Sequence, residues 1–340
     1  MRSRHPESAI FAEDLSKSFR VAVTDGRRWQ RLRSFIAPRY ELREAVRDIS
    51  LTVDYGEFVA LLGPNGAGKS TTIKLLTGIL TPSSGELLVG GRRPTEDRRR
   101  NAELIGVVFG QRTQLWWDLP ALDSLKLLRD VFGVSDADFR KRLAEFDKVL
   151  ELSGFWETPV RHLSLGQRVR CDLAAAIIHD PRVVFLDEPT IGMDVVVKEQ
   201  VREFLRYQVE QRGRTVVLTT HDMVEVEKLT SRVVLVNQGT IVFDDTIDEL
   251  KSRHAPPRRI TVSFDGAASR PEVRGADVIA WDGHEATFKL DPESTPHGVI
   301  RELTERYEVT DIAIREGDLE ELMRSAYRIH SPQTGATVVQ

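Results

Sequence analysis

The sequence predicts an α/β fold built on a mostly parallel β-sheet, with ligand binding at the carboxyl ends of its strands. Three observations support this fold class. Short apolar strands alternate with helical segments over the first 250 residues, as they do in parallel sheets. One strand runs directly into a glycine-rich loop, GPNGAGKS, at 63–70. Another, within VVFLDEPT at 183–190, ends in two adjacent acids.

Bulk properties set the broad class. The chain has 340 residues, is 41% hydrophobic and 29% charged, and carries a formal net charge of -4. These values are ordinary for a globular protein and argue against a dedicated nucleic-acid-binding protein. The single cysteine, Cys171, allows neither an internal disulfide nor a cysteine-rich zinc site. We find no run of about 18 apolar residues and no signal-peptide core. Any membrane function is therefore expected at the cytoplasmic face, through other chains.

Local patterns place the elements of a large domain, 1–250. Strands are expected at 8–19, where a turn follows, and at 49–53, 57–62, 86–89, 105–109, 183–186, 215–219 and 233–237. A helix is expected from Ser70 to Leu80, because Thr81-Pro82 ends the helical pattern. Residues 112–180 have mostly helical spacing and predict a helical subdomain.

A smaller α+β domain is predicted after a linker. The Pro-Pro pair and the clustered charge of 251–259 interrupt the pattern, and 260–330 then mixes strands and helices. We expect a strand at 260–264, a hairpin at 278–290, a helix at 296–306, a strand at 309–314 and a helix at 318–327. The polar tail, 331–340, is predicted to be loose.

The loop at 63–70 fits the phosphate-binding pattern G-x-x-x-x-G-K-[ST]. Its glycines let the backbone turn N–H groups toward phosphate oxygens, and the following helix adds positive potential from its N-terminus. Lys69 would reach the β- and γ-phosphates, and the Ser70 hydroxyl would coordinate Mg²⁺. The residues expected to hold the nucleotide here are Gly63, Pro64, Asn65, Gly66, Ala67, Gly68, Lys69, Ser70 and Thr71.

The two acids at the end of the second strand predict a metal-binding and catalytic function. In a parallel sheet this strand end lies at the ligand edge, beside the phosphate loop. Asp187 would hold Mg²⁺ through water, and Glu188 would orient and polarise the attacking water. A strand followed by a solvated turn would explain an isolated Asp-Glu pair, but the preceding phosphate loop favours the catalytic interpretation. Many NTPases and small-molecule kinases share these two features.

A third motif narrows the class. Residues 163–168, LSLGQR, precede a helical run, and with them the chain resembles the ATP-binding cassette family over about Ala9 to Leu250. The corresponding family motif is LSGGQ. A simple kinase would leave LSLGQ unexplained. The other matches follow in the family's order: Phe19 as the adenine-stacking aromatic, Gln111 in the Q-loop, Asp194 in the D-loop and His221 as the switch histidine.

The resemblance implies a P-loop NTPase cassette with a parallel-sheet core, an antiparallel β subdomain and an α-helical subdomain. It implies ATP and Mg²⁺ as cofactors. It also implies head-to-tail packing of two cassettes, as a homodimer or pseudo-symmetric heterodimer, beneath separate transmembrane permease subunits. The implied metal-site residues are Ser70, Gln111 and Asp187, and the implied catalytic residues are Glu188, His221 and Gln111. The implied nucleotide-binding residues outside the phosphate loop are Phe19, Ser164, Gly166, Gln167 and Asp194, with the serine motif gripping the nucleotide of the partner copy.

Leu165 departs from the family pattern, which usually has glycine at this position. A Cβ disfavours positive φ. Because Gly166 is retained, we expect an intact ATPase site; the alternative is a site that binds ATP but hydrolyses it poorly.

An arginine-rich insertion, Arg20–Glu44, separates Phe19 from the next strand. Apolar residues with helical spacing lie among its arginines: Trp29, Leu32, Phe35 and Ile36. This pattern predicts a basic amphipathic helix that contacts a permease or lipid headgroups, with a solvated surface insertion as the alternative. Trp116 and Trp117 are interpreted either as core residues or as a partner-facing surface.

The signature and the segment QRTQLWWDLP look most like those of stand-alone ATPases of drug exporters, of the daunorubicin-resistance and viologen-exporter types. A non-transport ATPase acting on ribosomes or DNA is the alternative. Against that alternative, the gap between Lys69 and Ser164 has no sustained heptads, and the chain has one cassette. The function of the C-terminal domain stays open, with a dimer contact as the favoured hypothesis.

Overall fold

The structure is a computed structural model that describes residues 8–22, 40–110, 112–254, 258–265, 269–291, 294–315 and 323. The chain divides into two compact units, 1–247 and 248–340. The strands, in chain order, are β1 Ser8–Ala22, β2 Tyr40–Asp54, β3 Phe58–Leu62, β4 Ser84–Val89, β5 Ile105–Phe109, β6 Val183–Asp187, β7 Thr215–Thr219, β8 Arg232–Asn237, β9 Thr240–Thr246, β10 Arg259–Phe264, β11 Ala276–Trp281, β12 Glu285–Leu290 and β13 Val309–Arg315. The α-helices are α1 Lys69–Leu76, α2 Arg98–Leu104, α3 Ala121–Phe132, α4 Asp136–Leu150, α5 Leu165–Ile177, α6 Val195–Glu210, α7 Met223–Leu229, α8 Ile247–His254 and α9 Pro296–Arg306.

A six-stranded sheet forms the core of the first unit, in the order β5-β6-β7-β3-β8-β9. The first five strands are parallel, and β9 is an antiparallel edge strand paired with β8. The central strands β3 and β7 are buried along their whole length, as expected for parallel strands covered on both faces. The edge strand β9 was not predicted, because its half-buried sequence TIVFDDT lacks that continuous apolar signal.

A three-stranded antiparallel sheet, β2-β1-β4, is the second layer of this unit. Its strands β1 and β2 are each 15 residues long and pair as far as Ala22 opposite Tyr40. Both ends of the expected insertion, up to Ala22 and from Tyr40, are therefore strand rather than insertion. The predicted amphipathic helix falls within 23–39, outside the described residues.

The predicted helical subdomain contains α3, α4 and α5. Helix α4 buries Phe139, Leu143 and Phe146 at helical spacing, and Phe146 packs edge-on against Phe204 of α6. Helix α5 is buried from Val169 onward. The fold class is confirmed: a parallel core sheet, an antiparallel subdomain, a helical subdomain and a further antiparallel sheet in the second unit. Within the described ranges no helix is both long and apolar enough to cross a bilayer.

The second unit contains a four-stranded antiparallel sheet, β11-β12-β10-β13. Its core alternates along the strands, with Ile260, Val262 and Phe264 of β10 buried against Val299 and Leu303 of α9. The sequence expectation of a linker at 251–259 needs correction, since α8 continues to His254 and β10 begins at Arg259. The helix expected at 318–327 lies outside the described residues apart from Met323, and the tail lies wholly outside them.

Candidate active site

The loop between β3 and α1 is held tightly by its neighbours. Gly68 has φ of 109°, and a Cβ there would lie 2.5 Å from the carbonyl oxygen of Ala45 on β2, so any larger residue would displace that strand. The Ala67 carbonyl accepts a hydrogen bond from the Gly239 N–H at 2.8 Å. The sequence therefore requires glycine at 68 both for its left-handed backbone and for the close approach of β2.

Lys69 lies across the loop with only 8% of its surface exposed. Its ammonium donates to the carbonyl oxygens of Gly63 at 2.6 Å and Pro64 at 3.3 Å. Burial lowers the pKa of Lys69, while the carboxylates of Glu188 and Asp187 act in the opposite direction. The loop thus carries a partly buried cation that faces the two acids at the end of β6.

The register of β6 and β7 brings these acids to the loop. Asp187 lies beside Thr219 in the parallel pair, and its Oδ1 accepts hydrogen bonds from the Thr219 hydroxyl at 2.6 Å and the Ser70 hydroxyl at 3.2 Å. Two of the three predicted metal-site residues, Ser70 and Asp187, are therefore in direct contact. Sequence reasoning missed Thr219, and the available signal was a polar residue at the end of an otherwise apolar strand.

Glu188 is held in an uncommon backbone conformation, with φ of 53°. Its N–H donates to both the carbonyl and the hydroxyl oxygen of Thr219, at 3.0 and 3.1 Å. Its Oε2 lies 2.8 Å from Nδ1 of His221. Non-glycine residues with a sparsely populated φ are typical of functional sites. Here the two hydrogen bonds to Thr219 hold the Glu188 backbone in that conformation. The predicted catalytic pair Glu188 and His221 is thus brought together.

The predicted Q-loop glutamine, Gln111, lies outside the described residues, but its neighbour Gly110 is described. The Gly110 N–H donates to the Asp187 carbonyl at 2.8 Å, and a Cβ at 110 would lie 2.1 Å from the Glu188 carbonyl oxygen. Gly110, the residue before Gln111, therefore packs directly on the backbone of the two acids.

A cleft of about 980 Å³ opens above the loop. Its base is the loop and α1, and its far end is the β1–β2 hairpin. Phe19 lies at that end, where the Lys17 ammonium is 5.4 Å from the ring centroid and donates to the Thr81 carbonyl at 2.8 Å. The predicted site residues that line the cleft are Phe19, Asn65, Gly66, Ala67, Gly68, Lys69, Ser70, Thr71 and Glu188. Hairpin residues that line it but were not predicted are Val21, Leu42, Arg43, Glu44, Ala45 and Arg47.

The serine motif is the N-terminus of α5. The Ser164 hydroxyl accepts from the Gln167 N–H at 3.2 Å, and the Gln167 side-chain oxygen accepts from the Ser164 N–H at 2.9 Å. This reciprocal pair is a capping box. Leu165 opens the helix without a positive φ, and its side chain packs on the core. The positive φ that a Cβ disfavours is therefore not required at Leu165.

Six predicted nucleotide-binding residues do not line the cleft of their own chain. Gly63 and Pro64 of the phosphate loop instead accept hydrogen bonds from Lys69 through their carbonyl oxygens. The other four belong to the serine motif and the D-loop: Ser164, Gly166, Gln167 and Asp194. Gly166 packs against α6, where a Cβ at 166 would lie 3.2 Å from Val197 Cγ1. Asp194 caps α6, with its Oδ1 accepting from the Val197 N–H at 3.0 Å. Within one chain, the structure thus leaves the serine motif and the D-loop apart from the phosphate loop.

The oxygen donors at the cleft fit a magnesium ion. Ser70 and Asp187 offer a hydroxyl and a carboxylate in contact with each other, and Mg²⁺ favours one or two such ligands together with water and phosphate oxygens. In the described part of the chain, no group of three or more His, Cys, Asp or Glu side chains could hold a metal by itself. A metal at this edge would therefore depend on a bound nucleotide.

The phosphate loop is hydrogen-bonded to the acidic end of β6, and a histidine lies within hydrogen-bond distance of the second acid. This arrangement defines a nucleotide-hydrolysing protein of the P-loop class. The sequence pattern of the ABC transporter family matches residues 46–191. The chain is also 30% identical over 296 residues to the linearmycin resistance ATP-binding protein LnrL of Bacillus subtilis (strain 168), covering 84% of this chain and 94% of LnrL. This chain belongs to the ABC transporter ATP-binding family and is an ABC-type ATPase coupled to transport.

Relatives named for export and for import are both found, the former including the fluoroquinolones export ATP-binding protein Rv2688c of Mycobacterium tuberculosis (strain ATCC 25618 / H37Rv), which is 36% identical over 240 residues and covers 70% of this chain and 77% of Rv2688c. The chain is 34% identical over 260 residues to the sulfate/thiosulfate import ATP-binding protein CysA of Brucella suis biovar 1 (strain 1330), which covers 75% of this chain and 70% of CysA. Among solved structures, a dimeric post-hydrolysis state of the ATP-binding cassette MJ0796, bound to ADP and Pi, has a TM-score of 0.58 and 26% identity. That match covers 70% of this chain and 98% of MJ0796.

Proposed function

We propose that this chain is the ATPase subunit of an exporter, acting at the cytoplasmic face of the cell membrane beneath separate permease subunits. The observation that carries the export direction is the LnrL match, which spans nearly all of a resistance protein and 84% of this chain, whereas about a third of CysA has no counterpart here, since the match covers 70% of it. Resistance to a drug is the expected result of its removal from the cell. The resemblance of LSLGQR and QRTQLWWDLP to drug-exporter ATPases points the same way.

The direction is tested in inside-out membrane vesicles containing this chain and its permease subunits. An exporter should accumulate a lipophilic substrate inside such vesicles when ATP is added outside. The same vesicles carrying Lys69→Ala should accumulate none. If the substrate instead accumulates only in intact cells, and only with a periplasmic binding protein, the system is an importer.

Within each site, the described contacts support specific functions for the residues. Lys69 and the loop N–H groups would bind the β- and γ-phosphates, and Ser70 and Asp187 would hold Mg²⁺, which neutralises the charge that develops on the phosphates. Glu188, placed by its N–H bonds to Thr219, would orient and polarise the attacking water. His221, 2.8 Å from Glu188, would hydrogen-bond the γ-phosphate. Gln111 is proposed to contact the metal and the water from the Q-loop.

Substitution of the proposed base tests this arrangement. Glu188→Gln keeps the size and the hydrogen-bonding backbone of the residue but removes the negative charge that polarises water. We expect phosphate release to fall by about a hundredfold or more, with ATP affinity retained. Glu203→Gln, at an exposed position of α6, is the matched control and should hydrolyse ATP normally. Equal turnover in both variants would reject Glu188 as the base.

Two copies are proposed to complete each site, because Ser164, Gly166, Gln167 and Asp194 do not line the cleft of their own chain. Apolar side chains surround the D-loop: Val195 and Val196 are 77% and 70% exposed, and Ile191 is also exposed. Val224 of α7 is exposed as well, and the Lys198–Asp222 ion pair, at 2.6 Å, holds α7 to α6. This apolar surface next to the serine motif favours coverage by a second copy.

A second apolar surface is proposed to face the permease. It comprises Trp116, Trp117 and Leu119, together with Leu127 and Val131 one turn apart on α3, all of them exposed. The Trp116 N–H donates to the Ser124 hydroxyl of α3 at 3.1 Å, so the segment before α3 lies against that helix. Val131→Lys should reduce co-purification with the permease without changing ATP hydrolysis by the isolated chain. Ile279→Lys, at an exposed apolar position of the second unit, is the matched control; equal co-purification of both would reject this surface.

A further inference from the structure

The hairpin end of the cleft contains an arginine to which the mechanism above gives no function. In the β1–β2 pair, Arg43 lies directly opposite Phe19, and both residues line the cleft. Side chains opposite each other on antiparallel strands point to the same face, with Cβ atoms about 5 Å apart. The Arg43 guanidinium is therefore placed to contact a ligand that stacks on the ring of Phe19.

The distance along β2 suits a nucleotide. Ala45 of β2 approaches the phosphate loop at Gly68, and Arg43 is two residues away along the same strand. Two residues of extended chain span about 7 Å, which is comparable to the length of a ribose and its α-phosphate. A nucleoside triphosphate whose phosphates occupy the loop would thus have its base at Phe19 and Arg43.

Arg43 is also a cation of the cleft whose donors are not engaged by the described residues. Arg47 is 3.6 Å from Glu44, and Lys69 donates to two loop carbonyls. Arg43 is exposed and makes no hydrogen bond or ion pair with any residue that the structure describes. Its five N–H donors are available to a ligand in the cleft.

Guanidinium donors distinguish between bases. Guanine presents two adjacent acceptors, N7 and O6, whereas adenine presents the N7 acceptor beside an N6 amino donor. We propose that Arg43 is a base-recognition residue through which the cleft accepts GTP as readily as ATP. Its guanidinium donates to N7 of either purine stacked on Phe19 and additionally to O6 of guanine. This inference rests on the proposed function, since it requires that the triphosphate binds at Lys69.

The test compares dissociation constants of Mg-ATP and Mg-GTP for the full chain, by equilibrium dialysis, with Glu188→Gln in every form to prevent turnover. With Arg43 intact, the dissociation constant of Mg-GTP should be no more than about threefold higher than that of Mg-ATP. Arg43→Gln offers an amide that can donate to N7 and accept from the N6 amino group of adenine, and should shift the ratio about tenfold toward ATP. Arg43→Leu should shift it in the same direction by less.

The matched control is Arg20→Gln. Arg20 lies on the same hairpin opposite Leu42, one position from Phe19, and does not line the cleft. It should leave the ratio unchanged. Because Arg43 and Arg20 are both exposed, circular dichroism spectra should match for all forms. The ATP:GTP ratio of dissociation constants with Arg43 intact is measured without any substitution at the hairpin, so it does not depend on the folding of a hairpin variant.

The possible failures are distinguishable. Binding of neither nucleotide, or binding that Lys69→Ala leaves unchanged, would overturn the proposed function itself. Binding of ATP with more than tenfold preference over GTP while Arg43 is intact would overturn only the Arg43 proposal. An ATP:GTP ratio that is unchanged by Arg43→Gln and Arg43→Leu, or shifted equally by Arg20→Gln, would overturn it as well.

Discussion

At the scale of single residues, Thr219 connects the two acids of the site. It is fully buried, and its hydroxyl both donates to Asp187 and accepts from the Glu188 N–H. One side chain thus fixes the position of the proposed metal ligand and the backbone of the proposed base. A hydrogen bond to a charged group contributes about 1.5–3 kcal/mol, so the loss of this hydroxyl should be measurable in turnover.

We expect Thr219→Val to lower kcat about tenfold or more, because valine keeps the shape of threonine but leaves Asp187 and the Glu188 N–H with one partner fewer. Thr219→Ser retains the hydroxyl and should keep kcat within about threefold of the unaltered chain. Steady-state phosphate release measures both. A valine variant as active as the serine variant would show that the hydroxyl does not position the acids.

Thr219 also illustrates what the sequence could not supply. The phosphate loop and the Asp-Glu pair were predictable because their spacing is local, and the structure brings Ser70 into contact with Asp187. The contact of Thr219 depends on the pairing of β7 with β6, which are separated by 27 residues of chain between Asp187 and Thr215. Arg43 was missed for the same reason, since only the register of the hairpin places it beside Phe19.

A buried carboxylate on α5 predicts a pH dependence of stability. Asp172 is 4% exposed, and its Oδ1 accepts from the Thr113 hydroxyl at 2.8 Å and the Gln114 N–H at 3.1 Å. Burial raises the pKa of Asp172 to about 6, although these bonds and Arg168 act to lower it. The folded state therefore binds this proton more tightly than the unfolded chain, in which the pKa is about 4.

The free energy of unfolding should consequently fall as the pH rises from about 4 to about 6, by up to about 3 kcal/mol from this group. Asp172→Asn removes the charge and keeps an acceptor oxygen. Relative to the unaltered chain, this variant should therefore gain stability between pH 4.5 and pH 7.5, measured by urea unfolding. Asp277→Asn, at an exposed position, controls for net charge. A stability difference that is the same at both pH values would contradict the buried-charge explanation.

At the scale of elements, the serine motif depends on how closely α5 approaches α6. Gly166 lies in the first turn of α5, and a Cβ there would lie 3.2 Å from Val197 Cγ1 of α6. Alanine normally favours a helix over glycine by about 1 kcal/mol. The contact with Val197 opposes that gain, because two β-carbon-bearing side chains would then share space that currently holds one.

A double-mutant cycle separates the two effects. Gly166→Ala alone should lower the free energy of unfolding by about 1 kcal/mol, as expected for overpacking. In a Val197→Ala background the same substitution should be neutral or stabilising, which gives a coupling energy of about 1 kcal/mol or more. Urea unfolding of the four forms measures it. Additive effects of the two substitutions would mean that the helices do not limit each other at this contact.

The elements that were predicted well have strong local signals, and those that were missed do not. Strand β5 was predicted at its observed bounds, 105–109, and α9 at 296–306, because buried apolar runs and a proline at the start of a helix are unambiguous. The β1–β2 hairpin was predicted too short, since its outer residues are exposed and give no continuous apolar pattern. Their strand conformation comes from pairing with each other rather than from an apolar pattern.

At the scale of the whole molecule, the site divides into two parts on the surface of one cassette. The phosphate loop, Asp187 and Glu188 are connected by hydrogen bonds at one edge of the core sheet. Ser164 and Gln167 form a complete capping box elsewhere, with backbone N–H groups of a helix N-terminus available to an anion. A head-to-tail pair of copies would bring each part against the complementary part of its partner, as two equivalent contacts about a two-fold axis.

This arrangement predicts that two inactive variants restore each other. Glu188→Gln disables the base of its own copy, and Ser164→Arg blocks the serine motif that its copy would offer to a partner. In a mixed dimer, one site combines both defects. The other combines an intact Glu188 with an intact Ser164 and should be active. With random pairing at equal amounts, half of the dimers are mixed and each has one working site, so phosphate release should reach about a quarter of that of the unaltered chain.

A double variant carrying both substitutions, mixed with the unaltered chain, is the control. All its mixed dimers are inactive, and only the pure unaltered pairs, again about a quarter of the dimers, remain active. If each cleft were instead complete within one chain, mixing the two single variants would restore nothing, and the control mixture would retain about half of the activity.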